Sequence, residues 1–197
     1  MGTLELVIAI VVALAVVAIV AAAAWAFSRR RRTERLHRRF GTEYEHAVTT
    51  LGDRRRAEAE LANREKRAKS LQTRPLSREE VERFSEVWQG VQTRFVDHPT
   101  EAITDAENLV VEVMRARGYP TVDVEQRVDY LSVHHPRAAQ NYRVAYGISQ
   151  KTKSQEATTE DLRQAMTYYR EIFNELLGTK VQERLQWQST SSYSTKN

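Results

Sequence analysis

The chain has 197 residues, 30 Lys and Arg against 26 Asp and Glu, a formal charge of +4 and no cysteine. The missing cysteines exclude a disulfide framework, a cysteine nucleophile and thiolate metal sites, and agree with a reducing compartment. The length suits one modest domain with extensions.

After a short N-terminus, residues 1–5, an apolar run from Leu6 to Phe27 ends in Ser28 and the cluster Arg29, Arg30, Arg31, Arg32. At about 1.5 Å per helical residue the run reaches about 33 Å, enough for the roughly 30 Å hydrocarbon core of a bilayer. Residues 6–28 are therefore expected to form one transmembrane helix. Arg35, Arg38 and Arg39 extend the basic cluster, whereas only Glu5 and the terminal amine stand before the run. The positive-inside rule then keeps the C-terminal side in the cytoplasm and turns residues 1–5 outward, with the helix expected in the cell membrane. Trp25 fits an aromatic anchor at the cytoplasmic interface. The alternative is an exported protein cleaved after Ala26, because Ala24-Trp25-Ala26 has a small-x-small form. Against it stand the absent basic n-region, a run longer than the usual h-region, and the arginines acting as a stop-transfer signal. Ala18, Ala22 and Ala26 repeat at i, i+4, i+8, a spacing that an Ala/Val-rich segment produces easily by chance.

Residues 29–75 hold 15 Lys and Arg against 7 Asp and Glu, and residues 76–197 hold 15 against 18. The positive excess thus sits beside the bilayer, where anionic inner-leaflet lipid attracts each basic residue by about 1 kcal/mol. From Thr33 to Leu51 the positions Leu36, Phe40, Tyr44, Ala47 and Leu51 share one helical face, which predicts a single amphipathic helix weakened at Gly41. From Asp53 to Leu71 the sequence is rich in Arg, Lys, Glu and Ala, with Arg54/Glu58, Arg56/Glu60, Glu60/Arg64 and Glu65/Lys69 at i, i+4. A charged helix is expected here. Its thin stripe of Ala57, Leu61, Ala68 and Leu71, interrupted by Arg64, suits a solvated stalk or one strand of a coiled coil. Gly52 offers a kink or a restart between the two segments.

Residues 76–178 are expected to form a helical bundle. Ser77 and Glu80 make a capping box that opens a helix with Val81, Phe84, Trp88, Val91 and Phe95 on one face. His98-Pro99-Thr100 breaks it, with Thr100 expected as the next N-cap. The following helix carries Ile103, Ala106, Leu109, Val110, Val113 and Met114 inward and stops at Gly118. A short helix should start at Asp123, and another should run from Pro136 to about Gln150 with Ala139, Tyr142, Tyr146 and Ile148 inward. Lys151 to Thr158 reads as a polar linker. A last helix from Thr159 to Leu177, with Leu162, Met166, Tyr169, Phe173 and Leu176 inward, should end at Gly178. Residues 179–197 read as a flexible polar tail, with Trp187 docking just before its Ser/Thr-rich end. The expected fold is all-α: one transmembrane helix, a charged helical arm and a small distal bundle.

The blocks Arg38-Arg39-Phe40-Gly41-Thr42-Glu43-Tyr44, Gly52-Asp53-Arg54-Arg55-Arg56-Ala57-Glu58, Arg74-Pro75-Leu76-Ser77, Val91 to Pro99 and Val113 to Pro120, with His135-Pro136, are similar to an uncharacterised family of bacterial proteins. That family, familiar from actinobacteria, places an all-helical region after a short hydrophobic N-terminus. The resemblance spans roughly Arg35 to Ala145 and implies no activity, ligand or catalytic residue.

Catalytic signatures are missing: there is no Gly-x-Ser-x-Gly, glycine-rich phosphate loop or His-Glu-x-x-His, so neither catalysis nor a cofactor is expected. His134, His135 and His98 lack ligand spacing, since adjacent helical residues point about 100° apart, and no metal is expected. The arginine runs Arg29 to Arg39 and Arg54 to Arg56 come with no nucleic-acid reading module, so no nucleic-acid partner is expected. One basic cluster carries an alternative reading as a small-ligand-binding sensor or cryptic enzyme: Arg94, Asp97, His98, Arg115 and Arg117 would hold a phosphate or carboxylate if they met at one end of the two central helices. The competing reading has Arg115 and Arg117 complementing a helix C-terminus, with Asp97 paired to one of them. The leading expectation is an anchored adaptor or scaffold with a protein partner or self-association. Its partner site would be the Trp88/Phe95 aromatic face, if that face is exposed.

Overall fold

The computed structural model describes residues 2–178, which contain eight helices and no strand among the described residues. Two compact units are separated, the first ending at Ala59 and the second beginning at Glu60. The expected tail and Trp187 lie outside the described residues.

In the first unit, α1 (Thr3–Phe40) is one unbroken helix of 38 residues. It does not stop at Ser28 but carries the apolar run directly into the arginines. The helix is long and apolar enough to cross a membrane, a test that a signal sequence also passes. The described side chains from Ala13 onward in that apolar run are exposed, Val16, Ile19 and Val20 each by more than half. The expected amphipathic helix from Thr33 to Leu51 is in fact split at Gly41, whose φ of 53° ends α1 and starts α2 (Thr42–Leu51). Positive φ is favourable only for glycine, so the break falls where the sequence places one. The apolar stripe survives the break. Leu36, Phe40, Tyr44 and Ala47 are buried, while Leu51 is exposed. Gly52, left-handed at φ 64°, caps α2, and α3 (Arg54–Lys69) follows.

The second unit takes the remainder of α3, then α4 (Arg78–Asp97), α5 (Pro99–Ala116), α6 (Val124–His134), α7 (Pro136–Lys153) and α8 (Thr159–Leu177). Helices α4 and α5 form an antiparallel hairpin, α5 packs on α8, α8 on α7 and α7 on α6. The capping box at Ser77/Glu80, the Asp123 cap on Gln126 N–H and the Thr158/Asp161 capping box set three helix starts. Two His-Pro junctions do the rest. His98 and His135 adopt nearly the same backbone angles (φ −132°, ψ 66° and φ −138°, ψ 69°), each ending one helix while the next proline opens another. Thr100 is therefore not the N-cap: Pro99 already occupies the first helical position, where its missing N–H costs nothing. Helix α7 also overruns the expected linker, continuing to Lys153 because Ile148, Ser149 and Thr152 are buried.

Trp88 of α4 stacks on Phe173 of α8 at 4.8 Å and 17°, and Tyr142 meets Tyr169 edge to face at 6.4 Å. Ile103, Val110, Val113, Leu131, Ala139 and Ile172 fill the space around them. Val81, Phe95, Tyr146 and Met166 sit half-buried at the margin. Gly118, at φ 84°, has Gln72 O only 2.9 Å from where a Cβ would stand, so the strand of chain leading into α4 crosses it closely. Arg74 N donates to Arg117 O across the same crossing at 3.0 Å.

Candidate functional site

The five residues of the basic cluster do not converge. Arg94, Asp97 and His98 stand at the α4–α5 junction, whereas Arg115 and Arg117 stand at the far end of α5, about 25 Å away along the helix axis. Arg94 pairs with Asp105 across the hairpin, and Asp97 and His98 are exposed. Arg115 is exposed as well. Arg117 closes a helix end, as the competing reading expects of it, but the end is that of α8: its Nη1 donates to Leu176 O at 2.8 Å. Its guanidinium also lies 5.8 Å from the Tyr119 ring. Asp97 pairs with neither Arg115 nor Arg117, because the length of α5 keeps them apart.

Nor is the aromatic face a surface. Trp88 and Phe84 are buried within the chain, and Phe95 is half-buried against the same core. The partner site expected there is consumed by folding.

What the structure brings together instead is an elbow in the first unit. Thr33 lies on α1, on the same face as Leu36 and Phe40, and the Gly41 and Gly52 breaks return the start of α3 to that face. There the Glu58 carboxylate, nearly buried, accepts from Thr33 Oγ1 (2.7 Å), Tyr44 OH (3.0 Å) and Arg54 Nε (3.2 Å). Arg54 Nε also donates to Tyr44 OH at 3.0 Å. Burial acts to raise the Glu58 pKa, but the three donors outweigh it and hold the carboxyl below its ordinary range. Burial pushes the Tyr44 hydroxyl upward, so it stays a neutral donor. An ionised carboxylate whose Oε1 takes three donors is a clasp that ties α1, α2 and the start of α3 together.

Beside the clasp, Thr33, His37, Tyr44, Glu45, Val48 and Arg54 line an open cavity of about 630 Å³. His37 Nε2 lies 3.2 Å from Glu45 Oε1, and its ring tilts against Tyr44 at 5.2 Å. Trp25, Arg30, Arg31, Arg32, Arg35, Arg38 and Arg39 are all exposed on α1, and Arg31 lies over the Phe27 ring at 4.3 Å. Arg29 is on the same helix, its side chain outside those described.

A second polar cluster lies inside the bundle and leaves a faint sequence signal: tyrosines on apolar stripes, which must find partners when buried. Arg127 Nη1 of α6 donates to Tyr142 OH of α7 at 2.6 Å. Ser149 Oγ donates to Glu107 Oε2 of α5 at 2.7 Å, with Arg127 4.0 Å from the other carboxylate oxygen. Burial pushes the Tyr142 hydroxyl up to about 12, against the opposing pull of Arg127. Burial and then the Glu107 charge push the Tyr169 hydroxyl upward too; it lies beside Ser149 without hydrogen-bonding geometry to it. In α3, the stripe-breaking Arg64 is similarly absorbed, reaching Asp129 Oδ1 of α6 at 2.9 Å.

Among the described residues no group of three or more His, Cys, Asp or Glu stands close enough to hold a metal ion. The chain matches no protein family, no curated protein and no solved structure.

Proposed function

We propose that this chain is a single-pass membrane-anchored helical protein whose region after α1 lies on the cytoplasmic side, where it acts as an interaction or scaffold module for a protein partner or a second copy. One observation carries the reading: the uncovered apolar segment and the arginine cluster occupy the same unbroken helix. Exposed apolar side chains over that length are unfavourable in water and favourable in hydrocarbon, at about 25 cal/mol per Å² transferred. The arginines follow directly on the apolar segment, so they meet anionic headgroups and bias the orientation.

The test is topology in a bacterial host. A reporter active only in the cytoplasm, fused after Asn197, is expected to give signal, and mass measurement is expected to find residues 1 to 26 intact. A reporter active only outside the cytoplasm giving the signal, or a mature N-terminus at Phe27, would overturn the reading in favour of export.

A further inference from the structure

On α3, Arg55 has no free glutamate at helical spacing. Four residues on from it stands Ala59 rather than a glutamate, and Glu58, three residues on, is occupied by Thr33, Tyr44 and Arg54. Arg55 consequently has no carboxylate partner among the described residues. The two glycine breaks carry it back to α1, where it lines a cleft of about 420 Å³ with Trp25, Ser28, Arg32, Glu58 and Ala59. Arg32 likewise has no carboxylate partner among the described residues. Two exposed guanidinium groups from different helices, a serine hydroxyl and an indole therefore face one concavity together with the Glu58 carboxylate, whose charge Arg54 offsets. Guanidinium groups bind phosphate bidentately, and the hydroxyl can add a further donor.

We infer that the cleft between Arg32 and Arg55 is a binding site for the phosphate of an anionic phospholipid headgroup, an inference that rests on the membrane-anchored reading above. Position selects lipid over free phosphate. If the hydrocarbon boundary lies at Trp25, Ser28 follows about 4.5 Å further on and Arg32 about 10 Å, depths that span the headgroup layer. The polybasic run on α1 alone would attract lipid diffusely; Arg55 turns one side of it into a walled site.

Full-length chain is floated with vesicles of phosphatidylcholine alone and with vesicles that also contain phosphatidylglycerol, and lipid retained by the detergent-extracted protein is counted by native mass spectrometry. Flotation with both vesicles is expected, with phosphatidylglycerol retained preferentially. Arg55→Gln is expected to lower that retention about fivefold, the effect of one interfacial arginine, while Arg56→Gln, the same charge change one residue away and outside the cleft, leaves it unchanged. Equal losses in the two variants, no preference for phosphatidylglycerol in a chain that floats, or displacement of the lipid by inorganic phosphate at equal concentration would each overturn the cleft. Failure to float with phosphatidylcholine vesicles would overturn the anchor itself.

Discussion

At the elbow of α1, Thr33, Tyr44 and Arg54 close on a single carboxylate, whereas in the bundle Trp88 stacks on Phe173 among apolar side chains from α4, α5, α7 and α8. The first arrangement uses few buried apolar groups and depends on one ionised oxygen. The second depends on area removed from water, which changes little with pH or salt. Removing one donor from the elbow leaves a nearly buried charge under-satisfied; removing one ring from the bundle leaves a cavity. The two regions should therefore fail under different conditions.

The largest effect is expected in the bundle. Trp88→Ala should cost about 3–5 kcal/mol, the usual range for deleting a large buried aromatic, read by chemical denaturation of the purified chain. A loss below about 1 kcal/mol would mean that the Trp88/Phe173 stack does not hold α4 to α8. Next comes Glu58→Gln, which keeps shape and removes charge; it should cost on the order of 1–3 kcal/mol locally, seen as faster amide exchange in α2 with exchange in α8 unchanged. The pH dependence sharpens this contrast. Because the Glu58 carboxyl is held below 4.5 in the folded chain, its contribution is complete above pH 4.5 and is lost as the pH falls through the folded value. Acid should thus loosen the wild-type elbow, and Glu58→Gln should remove that acid-dependent step. The smallest effect is Thr158→Ala, which deletes the side-chain cap of α8 and should lower bundle stability by about 1 kcal/mol at any pH between 5 and 8.

Local chemistry was legible in the residues. Ser77 with Glu80, Asp123 with Gln126, and the glycines at 118 and 178 mark helix ends because a cap involves only neighbours within four residues. The stripes through Leu36, Phe40, Tyr44 and Ala47 and through Ile103, Val110 and Met114 were legible for the same reason, since helical periodicity assigns a face without naming what covers it. Which face meets which was decided only by the tertiary structure. The eighteen residues of α5 keep Arg94 from Arg117, the Trp88 face turns inward on Phe173, and Arg117 closes a helix 59 residues away. Glu107 and Ser149, 42 residues apart, and Thr33 and Glu58, 25 apart, meet only because turns at Gly118 and His135, and at Gly41 and Gly52, reverse the chain between them. Such contacts depend on the summed geometry of several helices, and no window of neighbouring residues contains that information.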